Sequence, residues 1–215
     1  MALRLYTYFR SSAAFRVRIA LNLKGLEYEP VPVHFSRGGG EHRKPEFASL
    51  NPQGLLPVLD HDGTVLTQSL AIIEYLDACF PEPGLIPAGP VERARVQALA
   101  QLIACETHPL NNLRVLRYLR GEFDLAEPDI ERWYRHWVAE SFRALETLLV
   151  RYSGGQYCYG DAVGLADVCL VPQVYNARRF GCELDAYPTL TRIADTLAGQ
   201  AAFARAAPEN QPDAE

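Results

Sequence analysis

Two adjacent serines, Ser11 and Ser12, stand where a strand-like segment gives way to a helix-like one. Residues 5–9 are apolar and β-prone, and apolar residues recur with helical spacing from Val17 until Gly25, a residue type that commonly ends helices. The first N–H groups of a helix lack partners within the helix, and the positive end of its dipole favours a negative charge. The start of this helix is therefore suited to an anion. If the anion is a thiolate, the protein activates a thiol that it does not itself carry.

The composition indicates a soluble globular protein. Of the 215 residues, 48% are hydrophobic and 22% are charged, and the formal net charge is −5. This acidic balance argues against a general role on nucleic acids or membrane surfaces. The chain starts with strand-like residues rather than an apolar signal region, and no stretch approaches the roughly 18 apolar residues of a membrane span. We therefore expect a cytoplasmic protein.

The cysteines and histidines do not predict a metal or disulfide site. No Cys-x-x-Cys pair occurs, and the five histidines lack metal-ligand spacing. The cysteines are interpreted as reduced, half-buried thiols that pack as small apolar residues. They are Cys79, Cys105, Cys158, Cys169 and Cys182.

Residues 1–80 predict a mixed β-α-β-α-β-β-α unit. Asp60-His61-Asp62-Gly63 predicts a hairpin, because Asp-Gly suits a tight primed turn. A short helix is expected within 41–49, and Ser69 is expected to cap a later helix that carries a buried apolar stripe. After the first strand, further strands are predicted at residues 28–35, 55–59 and 64–67.

The remainder of the chain predicts helices. Residues 81–90 are rich in proline and glycine and form the predicted domain boundary. Residues 91–106 and 129–151 are long periodic stretches, and a third helix is expected to begin near Gly164 with Asp167 as its structural capping residue. The end of the chain, 208–215, is expected to be a loosely held tail.

A set of short motifs stands in a characteristic order along the chain. They are Arg10-Ser11-Ser12 with Arg16-Val17-Arg18-Ile19-Ala20-Leu21, Asn51-Pro52 with Leu56-Pro57-Val58-Leu59, Gln68-Ser69-Leu70-Ala71-Ile72-Ile73-Glu74-Tyr75-Leu76, Ala166-Asp167, Leu170-Val171-Pro172-Gln173 and Asn210-Gln211-Pro212-Asp213. Each motif alone is weak, but in this order and spacing the chain resembles the zeta class of the cytosolic glutathione transferases over nearly its whole length.

The resemblance implies an α/β plus all-α fold. It predicts an N-terminal thioredoxin-like domain at residues 1–80 that binds glutathione, followed by a linker at 81–90. Residues 91–215 are then an all-helical bundle that binds the second substrate. A homodimer is implied by the family alone.

The implied activity is a glutathione-dependent cis–trans isomerisation of maleylacetoacetate to fumarylacetoacetate, a step of tyrosine and phenylalanine catabolism. Isomerisation of maleylpyruvate is the second possibility, and a general glutathione transferase or dehalogenase is the third. A noncatalytic glutathione-binding module is an alternative of a different class. A disulfide oxidoreductase is disfavoured because the chain lacks the necessary cysteine pair.

The resemblance implies that Ser11, with Ser12 beside it, acts catalytically by hydrogen-bonding the sulfur of bound glutathione. A free thiol with a pKa of about 8.5 is mostly protonated at neutral pH, and a hydroxyl donor at a helix N-terminus stabilises the thiolate. On spacing alone both serines could instead be simple helix caps. The family motif usually continues with cysteine where this chain has Ala13, so the chemistry must rest on the sulfur of the cofactor.

Further glutathione contacts are implied in both domains. A cis-proline at Pro57 would present the backbone of Val58 to the cysteinyl part of glutathione, although an ordinary trans proline is also open. Gln68 and Ser69 are expected to hold the γ-glutamyl carboxylate at another helix N-terminus, where simple capping is the alternative. The residues implied in the helical domain, which reach toward glutathione or the substrate, are His108 and Asn112.

Arginines are the implied substrate ligands. A maleyl substrate is a dianion, and guanidinium groups recognise carboxylates through planar, bidentate hydrogen bonds. The resemblance assigns this role to Arg114 and Arg179, with Arg10 and Arg178 as further candidates; each could instead be a solvated or ion-paired surface residue. Two motif arginines, Arg16 and Arg18, are expected as solvated helix positions or structural salt bridges.

Overall fold

The computed structural model describes residues 2–215, and the chain divides into two compact units. The first unit runs to Gly84 and also includes Gly199–Glu215, whereas the second comprises Leu85–Ala198. The predicted domain bounds, 1–80 and 91–215 with a linker at 81–90, are not tested by this division into compact units and stay a prediction.

The first unit contains a four-stranded mixed sheet in the order β2-β1-β3-β4. Strand β1 pairs in parallel with β2 and antiparallel with β3, which pairs antiparallel with β4. This confirms the predicted thioredoxin-like arrangement. The strands are β1 (Leu3–Thr7), β2 (Glu29–Pro32), β3 (Val58–His61) and β4 (Thr64–Thr67).

Two predicted strand bounds were wrong. Strand β2 is shorter than residues 28–35 because its partner strand β1 ends at Thr7, which lies opposite Pro32. Strand β3 starts later than residue 55 and extends through Asp60 and His61, since both pair with β1 despite their polarity. The hairpin prediction is confirmed, and Asp62 and Gly63 both adopt positive φ, as a tight primed turn requires.

Three helices complete the first part of this unit, namely α1 (Ser12–Leu23), α2 (Pro45–Leu50) and α3 (Ser69–Cys79). Gly25 lies just beyond the end of α1 as predicted, and its φ of +64° allows the Leu26 N–H to donate to the Leu21 carbonyl at 3.0 Å. The short helix expected within 41–49 is α2, which follows a 3₁₀ turn at Glu41–Arg43, begins at Pro45 and ends one residue later than expected, at Leu50.

The second unit is helical in the described residues. Asp167 caps the N-terminus of α8 as predicted, because its carboxylate accepts from the backbone of Gly164 and of Cys158, each at 2.9 Å. The predicted helix over 91–106 ends earlier, in a π-helical turn at Leu102–Thr107. The helices are α4 (Pro90–Gln101), α5 (His108–Leu110), α6 (Leu113–Glu122), α7 (Glu127–Tyr152), α8 (Leu165–Arg179) and α9 (Pro188–Ala198).

The end of the chain is not a loosely held tail, and that expectation was wrong. Helix α10 (Ala201–Ala206) packs against α1 and buries Phe203. Beyond it, Gln211 donates to the carbonyls of Arg205 and Ala207, at 2.8 and 2.9 Å, and Asp213 is buried. Apolar burial and the hydrogen bonds of Gln211 together order this segment.

Among residues 2–215, no helix has the length and apolar character that a membrane crossing requires.

Candidate functional site

The strand register gathers the predicted glutathione-site residues of the first unit at one end of the sheet. Tyr6 on β1 lies opposite Val58 on β3, which lies opposite Thr67 on β4. Strand β1 leads from this end into α1, and β4 leads from the same end into α3. The starts of two helices therefore flank the first residue of β3.

Ser11 is the N-cap of α1, and Ser12 is the buried first residue of that helix. The Ser11 Oγ accepts a hydrogen bond from the Ala14 N–H at 3.2 Å. A hydroxyl that accepts in this way still has its own proton to donate. The capping interpretation of Ser11 is thus realised in the structure, and it is compatible with donation to an anion at the same place.

Gln68, and not Ser69, occupies the N-cap position of α3, so the predicted capping residue was wrong by one position. Gln68 adopts a φ of +69°, and its side chain donates to the amide oxygen of Gln53 at 2.8 Å. Ser69 is buried at the first helical position, where its Oγ accepts from Arg16 at 3.3 Å. A side chain of α1 is thereby joined to the start of α3.

Val58 is fully buried and begins β3 directly after Pro57, whose peptide bond with Leu56 is cis. Arg10 is exposed at the turn before α1, with its guanidinium carbon 4.8 Å from the centre of the Phe9 ring.

Arg16 and Arg18 are almost completely buried, so the expectation of solvated positions was wrong. The Arg18 guanidinium donates to the hydroxyl of Thr7 and to the carbonyls of Tyr8, Phe9 and Ala206, at 2.9 to 3.3 Å. Burial lowers the pKa of Arg18 to about 10, while the charges of Tyr28 and Asp213 act in the opposite direction. Because α1 packs against both α3 and α10, its motif arginines face protein rather than water.

Three of the predicted site residues of the second unit, His108, Asn112 and Arg114, lie close together in sequence. Asn112 is the N-cap of α6, and its Oδ1 accepts from the Arg114 N–H at 3.1 Å. The Arg114 side chain is exposed on the first turn of that helix. His108 begins α5, directly after the π-helical turn.

Arg178 and Arg179 end α8 beside an open cavity of about 400 Å³ that residues of α8 and α9 line. The walls are mostly apolar, with Val171, Val174 and Ala194 among them. Arg178 forms an ion pair with Asp195 at 2.7 Å, which is the surface role considered for it. Arg179 is exposed, with its guanidinium carbon 5.2 Å from the centre of the Phe180 ring.

Sequence reasoning gave no role in this site to three side chains that the structure connects to it. They are Gln53, which accepts from Gln68, and Arg18 and Asp213, which hydrogen-bond the backbone just before α1. Gln53 follows the Asn51-Pro52 motif, and Asp213 ends the Asn210-Gln211-Pro212-Asp213 motif, so their places in motifs were the available signal. Within residues 2–215, no group of three or more His, Cys, Asp or Glu side chains could hold a metal ion.

The chain shares its sequence and fold with known proteins along its whole length. A family model described as the N-terminal domain of glutathione S-transferase matches residues 1–78. A probable maleylacetoacetate isomerase of Vibrio cholerae is 56% identical, over 100% of this chain and 99% of that protein. The chain belongs to the glutathione S-transferase family.

Two solved structures place this transferase in the zeta class of that family. A holo maleylpyruvate isomerase, described as a bacterial zeta-class glutathione S-transferase, superposes with a TM-score of 0.95 at 46% identity, covering 99% of this chain and 100% of that one. A maleylacetoacetate isomerase of Methylobacterium extorquens AM1 with bound malonate and glutathione gives a TM-score of 0.91 at 43% identity, with 99% of both chains covered.

Proposed function

We propose that this zeta-class transferase is a glutathione-dependent cis–trans isomerase that converts maleylacetoacetate to fumarylacetoacetate. The observation that carries the proposal is the Ser11 hydroxyl at the N-terminus of α1, at the same end of the sheet as Val58 and the start of α3. A relative with 56% identity over its full length has this activity in its name.

The residues present fit glutathione. Hydroxyl and amide groups at the starts of α1 and α3 form a donor set suited to an anionic tripeptide with a thiol on its central residue and a carboxylate at each end. We assign the thiol to Ser11 and Ser12, the peptide backbone to Val58, and the γ-glutamyl carboxylate to Gln68 and Ser69. His108 and Asn112 are assigned to glutathione or the substrate from the second unit.

When bound, glutathione supplies a sulfur nucleophile that adds reversibly to a carbon–carbon double bond and is regenerated. The contribution of Ser11 is to donate its hydroxyl proton toward the sulfur and so favour the thiolate. A pKa reduction of two units corresponds to about 2.7 kcal/mol of differential interaction, which one donor and a helix N-terminus can together provide.

The second substrate is a dicarboxylate, and we assign its carboxylates to Arg114 and Arg179, with Arg10 as a further ligand. Arg179 is exposed beside an apolar cavity, so it combines a bidentate anion donor with room for a carbon chain. Arg178 is less suited, because Asp195 already holds its guanidinium.

Maleylpyruvate is the second candidate substrate. The solved structure with a TM-score of 0.95 is a maleylpyruvate isomerase, and the same thiol chemistry applies to this shorter ketoacid. We also propose that the enzyme works in the cytoplasm as a homodimer, in the catabolism of tyrosine and phenylalanine. The family supplies the support for these assignments.

A spectrophotometric assay with trace glutathione tests the proposed reaction on both maleyl substrates. We expect many turnovers for each glutathione molecule, because isomerisation returns the thiol. Stoichiometric loss of glutathione would identify a conjugating transferase or dehalogenase instead. Glutathione binding without turnover on either diacid would identify a noncatalytic binding module.

The variant Ser11→Ala tests the proposed role of the hydroxyl. Because it removes one preorganised donor, we expect kcat to fall by about 10²–10³-fold. The matched control is Ser49→Ala, since Ser49 is an exposed serine of the same unit whose hydroxyl donates only to the nearby Glu46 carbonyl. Activity unchanged by Ser11→Ala would remove this residue from the mechanism.

A further inference from the structure

The turn that leads into Ser11 is held by side chains from elsewhere in the first unit. The Phe9 N–H donates to the Asp213 carboxylate at 3.0 Å, and the Phe9 carbonyl accepts from Arg18 at 3.1 Å. The Tyr8 carbonyl accepts from both the Ser11 N–H, at 2.9 Å, and Arg18, at 3.3 Å. Every backbone group of Phe9 that can hydrogen-bond is therefore fixed by α1 or by the C-terminus.

Asp213 differs from the other polar residues of the C-terminal segment in what it contacts. Asn210 and Gln211 donate to carbonyls of α10 and the residue after it, so they order the segment itself. Asp213 instead reaches a residue 204 positions away in sequence, and that contact is buried. Its charge also favours the cationic form of Arg18, which burial opposes.

We infer that Asp213 is a positioning residue for the Ser11 hydroxyl, which it orients by fixing the backbone of Phe9; this inference rests on the proposed function of Ser11. Asp213 and Arg18 hold the two sides of one peptide segment. Ser11, the N-cap of α1, lies only two residues after Phe9. If either contact is lost, the turn can therefore shift and displace the Ser11 hydroxyl.

A small displacement of the Ser11 hydroxyl is enough to affect the reaction. A misplacement of about 1 Å in a catalytic group can cost on the order of 10²-fold in rate, even when the change lies outside the reacting centre. The Phe9 N–H lies outside any strand or helix, and Asp213 is the acceptor that the structure provides for it. The C-terminal motif that the resemblance singled out thus acquires a role at the thiol site.

Asp213→Ala tests the inference, with the thiol pKa of enzyme-bound glutathione as the readout. The ultraviolet absorbance of the thiolate is followed against pH in the parent and the variant. We expect the variant to raise this pKa by about one unit. Starting from about 6.5, two units below the pKa of a free thiol, that rise lowers the thiolate fraction at pH 7 about threefold, and kcat/KM falls with it. Asp213→Asn keeps an acceptor oxygen for Phe9, so it is expected to retain a thiol pKa close to the parent value.

Two further measurements separate positioning from general damage. S-methylglutathione has no ionisable thiol, and we expect Asp213→Ala to bind it with the parent Kd. In a Ser11→Ala background, Asp213→Ala should cause no further rise in the thiol pKa, because it acts through that hydroxyl. Glu215→Gln is the matched control, since Glu215 is exposed and its carboxylate accepts a hydrogen bond from Arg37 and none from the backbone of the turn.

The failures of the two proposals are distinguishable. A parent enzyme that binds glutathione without lowering its thiol pKa overturns the proposed function and this inference together. A lowered pKa in the parent that Asp213→Ala leaves unchanged overturns the inference alone, as does equal weakening of S-methylglutathione binding. If Asp213→Ala fails to fold, Asp213→Glu takes its place, since it keeps the charge and moves the carboxylate by one methylene; an unchanged thiol pKa in that variant also overturns the inference.

Discussion

The Ser11 hydroxyl has two roles, and Ser11→Ala removes both of them at once. Its oxygen caps α1 by accepting from the Ala14 N–H, and its proton is proposed to stabilise a thiolate. Capping contributes about 1 kcal/mol to stability when Ser is compared with Ala at such positions. Ser11→Ala therefore lowers stability and activity together, and a second substitution is needed to assign each effect.

Ser11→Asp separates the two uses. Aspartate is as good an N-cap as serine, so we expect stability close to that of the parent and about 1 kcal/mol above that of Ser11→Ala. An ionised carboxylate has no proton to donate and repels a thiolate, so activity should fall at least as far as in Ser11→Ala. Urea unfolding and the isomerase assay measure the two quantities. Retained activity in Ser11→Asp would show that capping, and not donation, is what the site requires.

The residue-level predictions of local conformation succeeded where the local sequence determines that conformation. A pair of serines between a strand and a helix is visible in the sequence, and so is Asp167 three residues after a helix start. The roles of Arg18 and Asp213 depend on α10 folding back onto α1, which no local pattern encodes. Arginine is usually exposed, so a buried arginine that donates to backbone carbonyls contradicts the ordinary expectation for its type.

At the scale of elements, the start of α8 depends on one buried carboxylate. Asp167 accepts from Gly164 at the N-cap and from Cys158 in the preceding loop, and it is only 1% exposed. Burial raises the pKa of Asp167, although its hydrogen bonds from the Cys158 and Gly164 backbone act in the opposite direction. The carboxylate therefore fixes both the helix start and the loop, at a cost in desolvation.

Asp167→Asn is expected to destabilise the protein by roughly 1–3 kcal/mol, because the new amide NH₂ faces a buried N–H donor and leaves it without an acceptor. The pH dependence has a definite sign. Above the ordinary value of 3.8, up to the raised pKa, folded Asp167 holds a proton that the unfolded chain releases, so the stability it contributes falls as pH rises through that window. The advantage of parent over variant should thus grow as pH falls from neutrality.

Urea unfolding of both proteins across this pH range measures the difference, with tryptophan fluorescence as the signal. Both tryptophans, Trp133 and Trp137, lie on α7 in the same compact unit as Asp167. If the difference in unfolding free energy between parent and variant shrinks as pH falls, Asp167 behaves as a carboxyl with a lowered pKa. That result would contradict the expectation.

Element bounds were predictable where the sequence carries a strong stop signal. Asp62-Gly63 and Gly25 end their elements as expected, because each adopts a positive φ that few other residues accept. The division of residues 91–106 into α4 and a π-helical turn was not predictable, since the buried residues Val96, Leu99 and Ile103 recur at ordinary helical spacing across the junction. Strand β3 likewise extends over polar residues because a partner strand is present, which is tertiary information.

At the scale of the whole molecule, the first unit is discontinuous in sequence. It needs residues up to Gly84 and also Gly199–Glu215, whose helix α10 covers α1. The sequence places the C-terminal segment after a long helical region, and nothing in its local pattern indicates that it packs with the first strands and helices. A compact glutathione-binding unit therefore cannot be cut out at the proline-rich connection alone.

Deletion of residues 199–215 tests this dependence. The shortened chain loses Phe203, a side-chain type whose truncation in a core costs about 3–5 kcal/mol, together with the Ala206 carbonyl that accepts from buried Arg18. Such a loss is comparable with the total stability of a small domain, so we expect the first unit to unfold. The second unit, Leu85–Ala198, contains no deleted residue and should keep its fold.

Two independent signals report the outcome, because the tryptophans lie only in the second unit. We expect the deletion variant to keep a cooperative tryptophan-fluorescence transition in urea while calorimetry detects no binding of S-methylglutathione. The control is a chain that lacks only Ala214 and Glu215, both exposed, and it should bind like the parent. Binding of S-methylglutathione with parent affinity by the chain that ends at residue 198 would show that α10 is dispensable, since the glutathione site would then form without the helix that covers α1.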